Sequence, residues 1–179
     1  IVPFPPGGST DIVARIIAAG LTDALREQVV IDNRGGAAGT LGAEIAAHAT
    51  ADGYTLFACN IASLAVSPSL YKKLGYDAVK DFAPVGLIGS TANALVVHPS
   101  VPAKTVAEFI EYAKARPGKL NYASAGVGTS PQLSMELFRM QAGFTIAHVP
   151  YKGVGAALID LMGGRVEAMF STVPAALGP

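Results

Sequence analysis

The chain lacks the residues on which several function classes depend. Among its 179 residues there is one cysteine, Cys59, so an intrachain disulfide and a paired-cysteine metal or redox site are excluded; a buried free thiol is the default expectation. Net charge is also missing, because thirteen basic residues balance thirteen acidic ones. No overall field gathers nucleic acid or anionic lipid, and binding must be local. Long hydrophobic runs are absent too: Arg15, Lys72 and Asp160 interrupt the apolar stretches before the roughly 18 residues of a membrane span.

Catalytic patterns are incomplete wherever they begin. Gly126-Val127-Gly128 opens a dinucleotide fingerprint, but Pro131 stands where a third glycine or alanine belongs. Leu120 follows Gly118-Lys119 where a phosphate-binding loop needs Ser or Thr. Gly7 to Ser9 resembles a nucleophile elbow until Asp11 replaces its closing glycine. His48, His98 and His148 are scattered singly, without metal-ligand spacing. Glu27, Glu44, Glu108, Glu111 and Glu136 fall in helical segments and read as solvated faces. No catalytic residue, metal site or cofactor is expected.

What is present is apolar content, 51% of the chain, in alternating strand and helix patterns joined by short turns. That is the signature of mostly parallel sheets flanked by helices. Strands are expected at 1–4, 28–31, 54–58, 85–88, 94–97, 120–124, 146–149 and 166–170. The first helix runs from about Thr10 to Glu27, with Ile12, Val13, Ile16, Ile17, Leu21 and Leu25 on one face. Gly35 to Thr40 leads into a second helix ending near Ala49, and an irregular stretch containing Asn60, Pro68 and Tyr71 follows. Thr105 and Glu108 form a capping box for a helix ended by Pro117-Gly118. Further helices are expected over 130–142 and 154–162.

Two loops share one construction. Pro5-Pro6-Gly7-Gly8-Ser9-Thr10-Asp11 and Ser124-Ala125-Gly126-Val127-Gly128-Thr129-Ser130-Pro131 each follow an apolar run and open a helix. Unpaired N–H groups and the helix dipole at such a turn can hold a small anion without a cationic side chain. Two such cradles on one cleft would receive a carboxylate. The bland alternative is that glycines and caps simply begin helices, and the charge of Asp11 would repel an anion unless it turns into the cap.

Five ordered motifs extend this reading. Residues 1–11, the run from Asp32-Asn33-Arg34-Gly35-Gly36 to Glu44, Ala51-Asp52-Gly53-Tyr54-Thr55-Leu56, Tyr122 to Thr129, and Val149-Pro150-Tyr151-Lys152-Gly153 resemble the solute-binding proteins of tripartite tricarboxylate transporters, the Bug family. The resemblance runs over essentially the whole chain. It implies an α/β, type II periplasmic-binding-protein-like fold with two lobes, 1–93 and 94–179, and a crossover strand near 94–98. It also implies a monomeric periplasmic receptor, with a signal peptide upstream, that closes over a small organic carboxylate and delivers it to membrane permease subunits. Di- and tricarboxylates, aromatic acids and amino acids all fit that class. A ligand sensor, or an enzyme acting on a carboxylate, is the alternative.

By the same resemblance, Pro6, Gly7, Gly8, Ser9, Thr10 and Asp11 hold the ligand from the first lobe. Ser124, Gly126, Val127, Gly128 and Thr129 hold it from the second. Asn60, Ala62, Ser63, Ser90, Thr91 and Thr172 line the remainder. The chain starts inside a strand and stops near Pro179, before a segment that in the family completes the first lobe, so it reads as a C-terminally truncated fragment. Gly35 replaces a customary proline, and Gln132 a common histidine.

Overall fold

A computed structural model describes residues 1–177. The chain divides into two compact units, Ile1–Ser90 and Thr91–Pro179.

The second unit is built on a four-stranded sheet: β1 (Asn93–Val97), β2 (Asn121–Ser124), β3 (Ala147–Pro150) and β4 (Ala168–Thr172), in the order β1-β4-β2-β3. β2 pairs in parallel with β3 and β4, while β1 runs antiparallel along β4 with Asn93 opposite Thr172. Successive residues of the inner strands enter different cores, as a two-residue period requires. Tyr122 and Ala168 join Phe109, Met135, Phe144 and Ile146 on one face; Ala123 and Met169 join Val154, Ala157, Leu158 and Leu161 on the other.

Helices cover both faces. α4 (Val106–Lys114) and α5 (Ser130–Ala142) supply the first cluster and α6 (Val154–Met162) the second. The capping box at α4 is complete: Thr105 Oγ1 accepts the Glu108 N–H at 3.2 Å and Glu108 Oε2 accepts the Thr105 N–H at 3.1 Å. A short α7 (Val173–Ala176) follows β4.

The first unit contains α1 (Ser9–Leu25), a 3-10 turn (Ala37–Gly39), α2 (Thr40–Ala47), a π-helical turn (Ala62–Val66) and α3 (Ser67–Leu70). The expected strands 1–4, 28–31 and 54–58 are represented by one parallel bridge, Val2 to Asn33, and isolated bonds. Val2 N–H donates to Asp32 O and Arg34 N–H to Val2 O, each at 2.8 Å, and Ala58 N–H donates to Ile1 O at 3.0 Å. Pairing therefore begins after 31, one step beyond the apolar run. Gly42 lets α2 pass close to this bridge: a Cβ there would stand 2.8 Å from both Pro3 Cα and Arg34 O.

Three expectations need correction. Residues 85–88 form no strand; Val85 and Leu87 are about nine-tenths exposed, and an extended run without a neighbouring strand has nothing to pair with. The stretch containing Asn60, Pro68 and Tyr71 to Asp77 is irregular from Tyr71 on, but residues 61–70 within it are helical. A π-type residue 68 would donate to Ser63 O, but proline has no N–H; the Tyr76 hydroxyl donates to that carbonyl instead, and Ser67 Oγ donates to Ala62 O at 2.6 Å. Cys59 is exposed, not buried. Its N–H turns back to Phe57 O at 3.0 Å, breaking the extended path just before the helix.

Candidate functional site

Both glycine turns end in the same hydrogen bond. In the first, Gly8 is the N-cap of α1, Gly7 precedes it at φ +85°, and Gly7 N–H donates to Asp11 Oδ2 at 2.9 Å. In the second, Thr129 is the N-cap of α5, Gly128 precedes it at φ +87°, and Gly128 N–H donates to Gln132 Oε1 at 3.0 Å. The left-handed conformation suits glycine. In each case the third helical residue reaches back over the turn, a variant of the reciprocal cap.

Asp11 is therefore a buried clasp. Its other partners are Asn33 Nδ2, donating to Oδ1 at 2.9 Å, and Arg15 Nε, donating to Oδ2 at 3.0 Å. Burial pushes its pKa up, but the hydrogen bonds from Arg15, Gly7 and Asn33 and the Arg15 charge outweigh that and hold the carboxyl below its ordinary value. The charge is turned into the cap and paired, removing the objection to an anion at this turn. Asn33 also donates to Phe4 O at 2.9 Å, which fixes the chain entering the turn.

The second turn sits at the carboxyl end of β2. Buried Ser124 Oγ accepts the Gly126 N–H at 3.1 Å and lies 2.7 Å from His148 Nε2 on β3. Thr129 Oγ1 donates to Gly126 O at 2.7 Å. Gly126, at φ +128°, therefore bonds both hydroxyls, through its N–H to Ser124 and its carbonyl to Thr129. The Ser124–His148 pair has the reach of a nucleophile and its base. Here the serine oxygen is buried and closes a backbone turn, and Tyr122 stacks on the imidazole at 4.7 Å, so the geometry is that of a brace. Val127 remains exposed at the crown.

Burial lowers the His148 pKa, with Glu136 opposing. A histidine that prefers to be neutral when folded supports stability fully above its ordinary value and loses that support as pH falls through the folded value. Melting temperature should therefore decline as pH falls below the ordinary histidine value of about 6.5, and less steeply in His148→Gln. Identical slopes in melts of the two proteins would remove His148 as the cause.

The remaining expected contacts fall into two groups. Asn60 and Ser63 cap the helix that follows: Ser63 N–H donates to Asn60 Oδ1 at 3.2 Å and Asn60 N–H to Ser63 Oγ at 3.3 Å. Ala62 and Ser63 are buried there. Thr172 ends β4 opposite Asn93, so with Thr91 it shares the sheet end occupied by Ser124 to Thr129. Carboxyl ends of parallel strands are where open α/β sheets hold ligands. Pro6, Ser9 and Thr10 belong to the first turn, Pro6 exposed and the other two half-buried; Ser90 is exposed at the end of the first unit. Asn33, Arg15, Tyr122 and His148 were not singled out from sequence; only the four-residue spacing of Asp11 and Arg15 hints at a pair.

Among the described residues no three metal-ligating side chains gather, and no helix is long and apolar enough to cross a membrane. Protein BugT of Bordetella pertussis is 42% identical over 178 residues, 99% of this chain and 55% of BugT. A solved structure described as R. palustris Rpa4515 with adipate matches at 41% identity and TM-score 0.96, covering 98% of this chain and 59% of that one. MatC from Rhodopseudomonas palustris with bound malate matches at 36% identity and TM-score 0.90, covering 98% and 60%. The chain thus spans about half the length of the curated relatives it matches. Residues 13–178 match the model of the tripartite tricarboxylate transporter family receptor, and the chain belongs to that family.

Proposed function

We propose that this chain is part of a periplasmic receptor that captures a small organic carboxylate at its glycine turns and presents it to membrane permease subunits. Adipate and malate, bound by two relatives that match nearly the whole chain, carry the reading. The paired construction of the turns supports it, because backbone N–H groups and a helix N-terminus favour an anion. The hydroxyls of Thr10 and Ser130 supplement those donors without adding charge. The receptor acts as a monomer and without turnover: it binds stoichiometrically and releases the acid unchanged.

The test is a thermal-shift panel on the full-length protein with mono-, di- and tricarboxylates, aromatic acids, amino acids and nicotinamide nucleotides. A ligand selective for the folded state raises the melting temperature. A carboxylate hit with no product formed is expected; a nucleotide shift without any carboxylate response would point to an enzyme. Gly8→Val sharpens the result. Gly8 has φ −85° and ψ 165°, and a Cβ there would stand 3.9 Å from its nearest neighbour, Pro5 O. The branch fits the backbone yet crowds the turn, so the variant should melt near the parent and lose the ligand shift, whereas Cys59→Ser should keep it. Gly126→Val is less clean, since φ +128° is strained for any branched residue.

A further inference from the structure

The two turns use one clasp with different charge. Asp11 closes the first as an anion, and Arg15 and Asn33 compensate it. Gln132 closes the second as a neutral amide, and the one basic residue of α5 is engaged elsewhere: Arg139 Nε donates to Glu136 Oε2 at 2.7 Å. We propose that Gln132 is a positioning residue that closes the second turn and sets its preference for anions, because it holds Gly128 without placing a negative charge at the α5 N-terminus.

The carboxamide suits this place because its oxygen accepts a hydrogen bond and carries no charge. Oε1 accepts the Gly128 N–H at 3.0 Å, and Glu136 stands one helical turn further along α5. The Tyr122 hydroxyl donates to Glu136 Oε1 at 2.6 Å. Glu136 is held by Tyr122 and Arg139, so a side chain at 132 needs only to accept from Gly128 without adding charge. An ionised glutamate keeps that bond. It also places a charge beside Glu136 and at the helix end where the ligand carboxylate is to sit, and like charges there repel.

The inference rests on the carboxylate-receptor reading, and its test separates the two. Full-length wild type, Gln132→Glu and Gln132→Leu are titrated calorimetrically with whichever panel acid, adipate and malate included, shifts the wild type most. Kd is measured at about pH 8 and about pH 5, the second chosen because a larger fraction of an introduced carboxyl is protonated there. The groups facing it are Tyr122 from β2, Glu136 and Arg139 from α5, and His148 from β3, stacked on Tyr122; β1 and β4 carry no titratable residue. Ligand ionisation and these neighbours are common to all three proteins, so the variant-to-wild-type ratio isolates residue 132.

Gln132→Glu should weaken binding at least about tenfold at the higher pH and by less at the lower, where more of the introduced carboxyl is neutral. Gln132→Leu, which removes the clasp alone, should weaken binding by the same factor at both. A Gln132→Glu ratio that ignores pH, or a Gln132→Leu protein that binds like wild type, overturns the inference while leaving the receptor reading intact. No response of the wild type to any carboxylate overturns both.

Discussion

Residues 91–179, expressed alone, are expected to unfold in urea as one cooperative transition, and residues 1–90 alone are not. The reason is where the cores lie. Both clusters of buried apolar side chains belong to the second unit, one on each face of its sheet, and a small unit needs such burial to offset chain entropy. In the first unit Tyr54, Val85 and Leu87 are about nine-tenths exposed, and its buried set is dominated by small residues such as Ala14, Ala18, Ala43 and Ala62. Circular dichroism and tyrosine fluorescence should give coincident transitions for the second unit. A cooperative first unit beside a molten second would refute the assignment.

Phe109→Ala should cost about 3–5 kcal/mol in that second unit. Phe109 is 2% exposed and touches two more rings, Phe138 at 6.2 Å and Phe144 at 5.9 Å between centroids. Phe138 extends the group to Phe170 on β4 at 5.9 Å. Truncation therefore opens a cavity bounded by a helix, a second helix and the sheet, which these elements cannot all close at once. Val106→Ala, on the exposed side of the same helix, is the control and should stay within about 0.5 kcal/mol. Urea midpoints at unchanged slope would measure both; a Phe109→Ala protein as stable as the control would show that the aromatic group is not a stabilising core.

What could be read in advance followed from local chemistry. α5 and α6 span the residues expected, and the α4 cap is the reciprocal pair that Thr105 and Glu108 announce. Strands were less well bounded, because pairing rather than hydrophobicity fixes their ends: β4 begins at Ala168, where Val97 and Tyr122 meet it, not at 166. On α1 the apolar stripe indicated the wrong side. Asp11, Ala14 and Ala18 are its buried residues, while Ile16 is 67% exposed.

The helix around Pro68 escaped sequence analysis for a related reason: its stability depends on a hydroxyl eight residues further on. The glycine turns of the site were legible because positive φ selects glycine. Their clasps were only half so. Asp11 raised an electrostatic objection that the sequence could pose and not answer, since the answer is Asn33, 22 residues away. His148 reaches Ser124 across 24 residues, and no spacing rule connects them.

Cys59 offers a practical opening. The chain has no tryptophan and no other thiol, and this one is exposed, one residue ahead of the Asn60–Ser63 cap. A maleimide dye would attach at a single known place in the first unit, against a background free of indole emission. With an acceptor introduced at an exposed position of the second unit, energy transfer between the two dyes would report any change in their separation when a carboxylate is added.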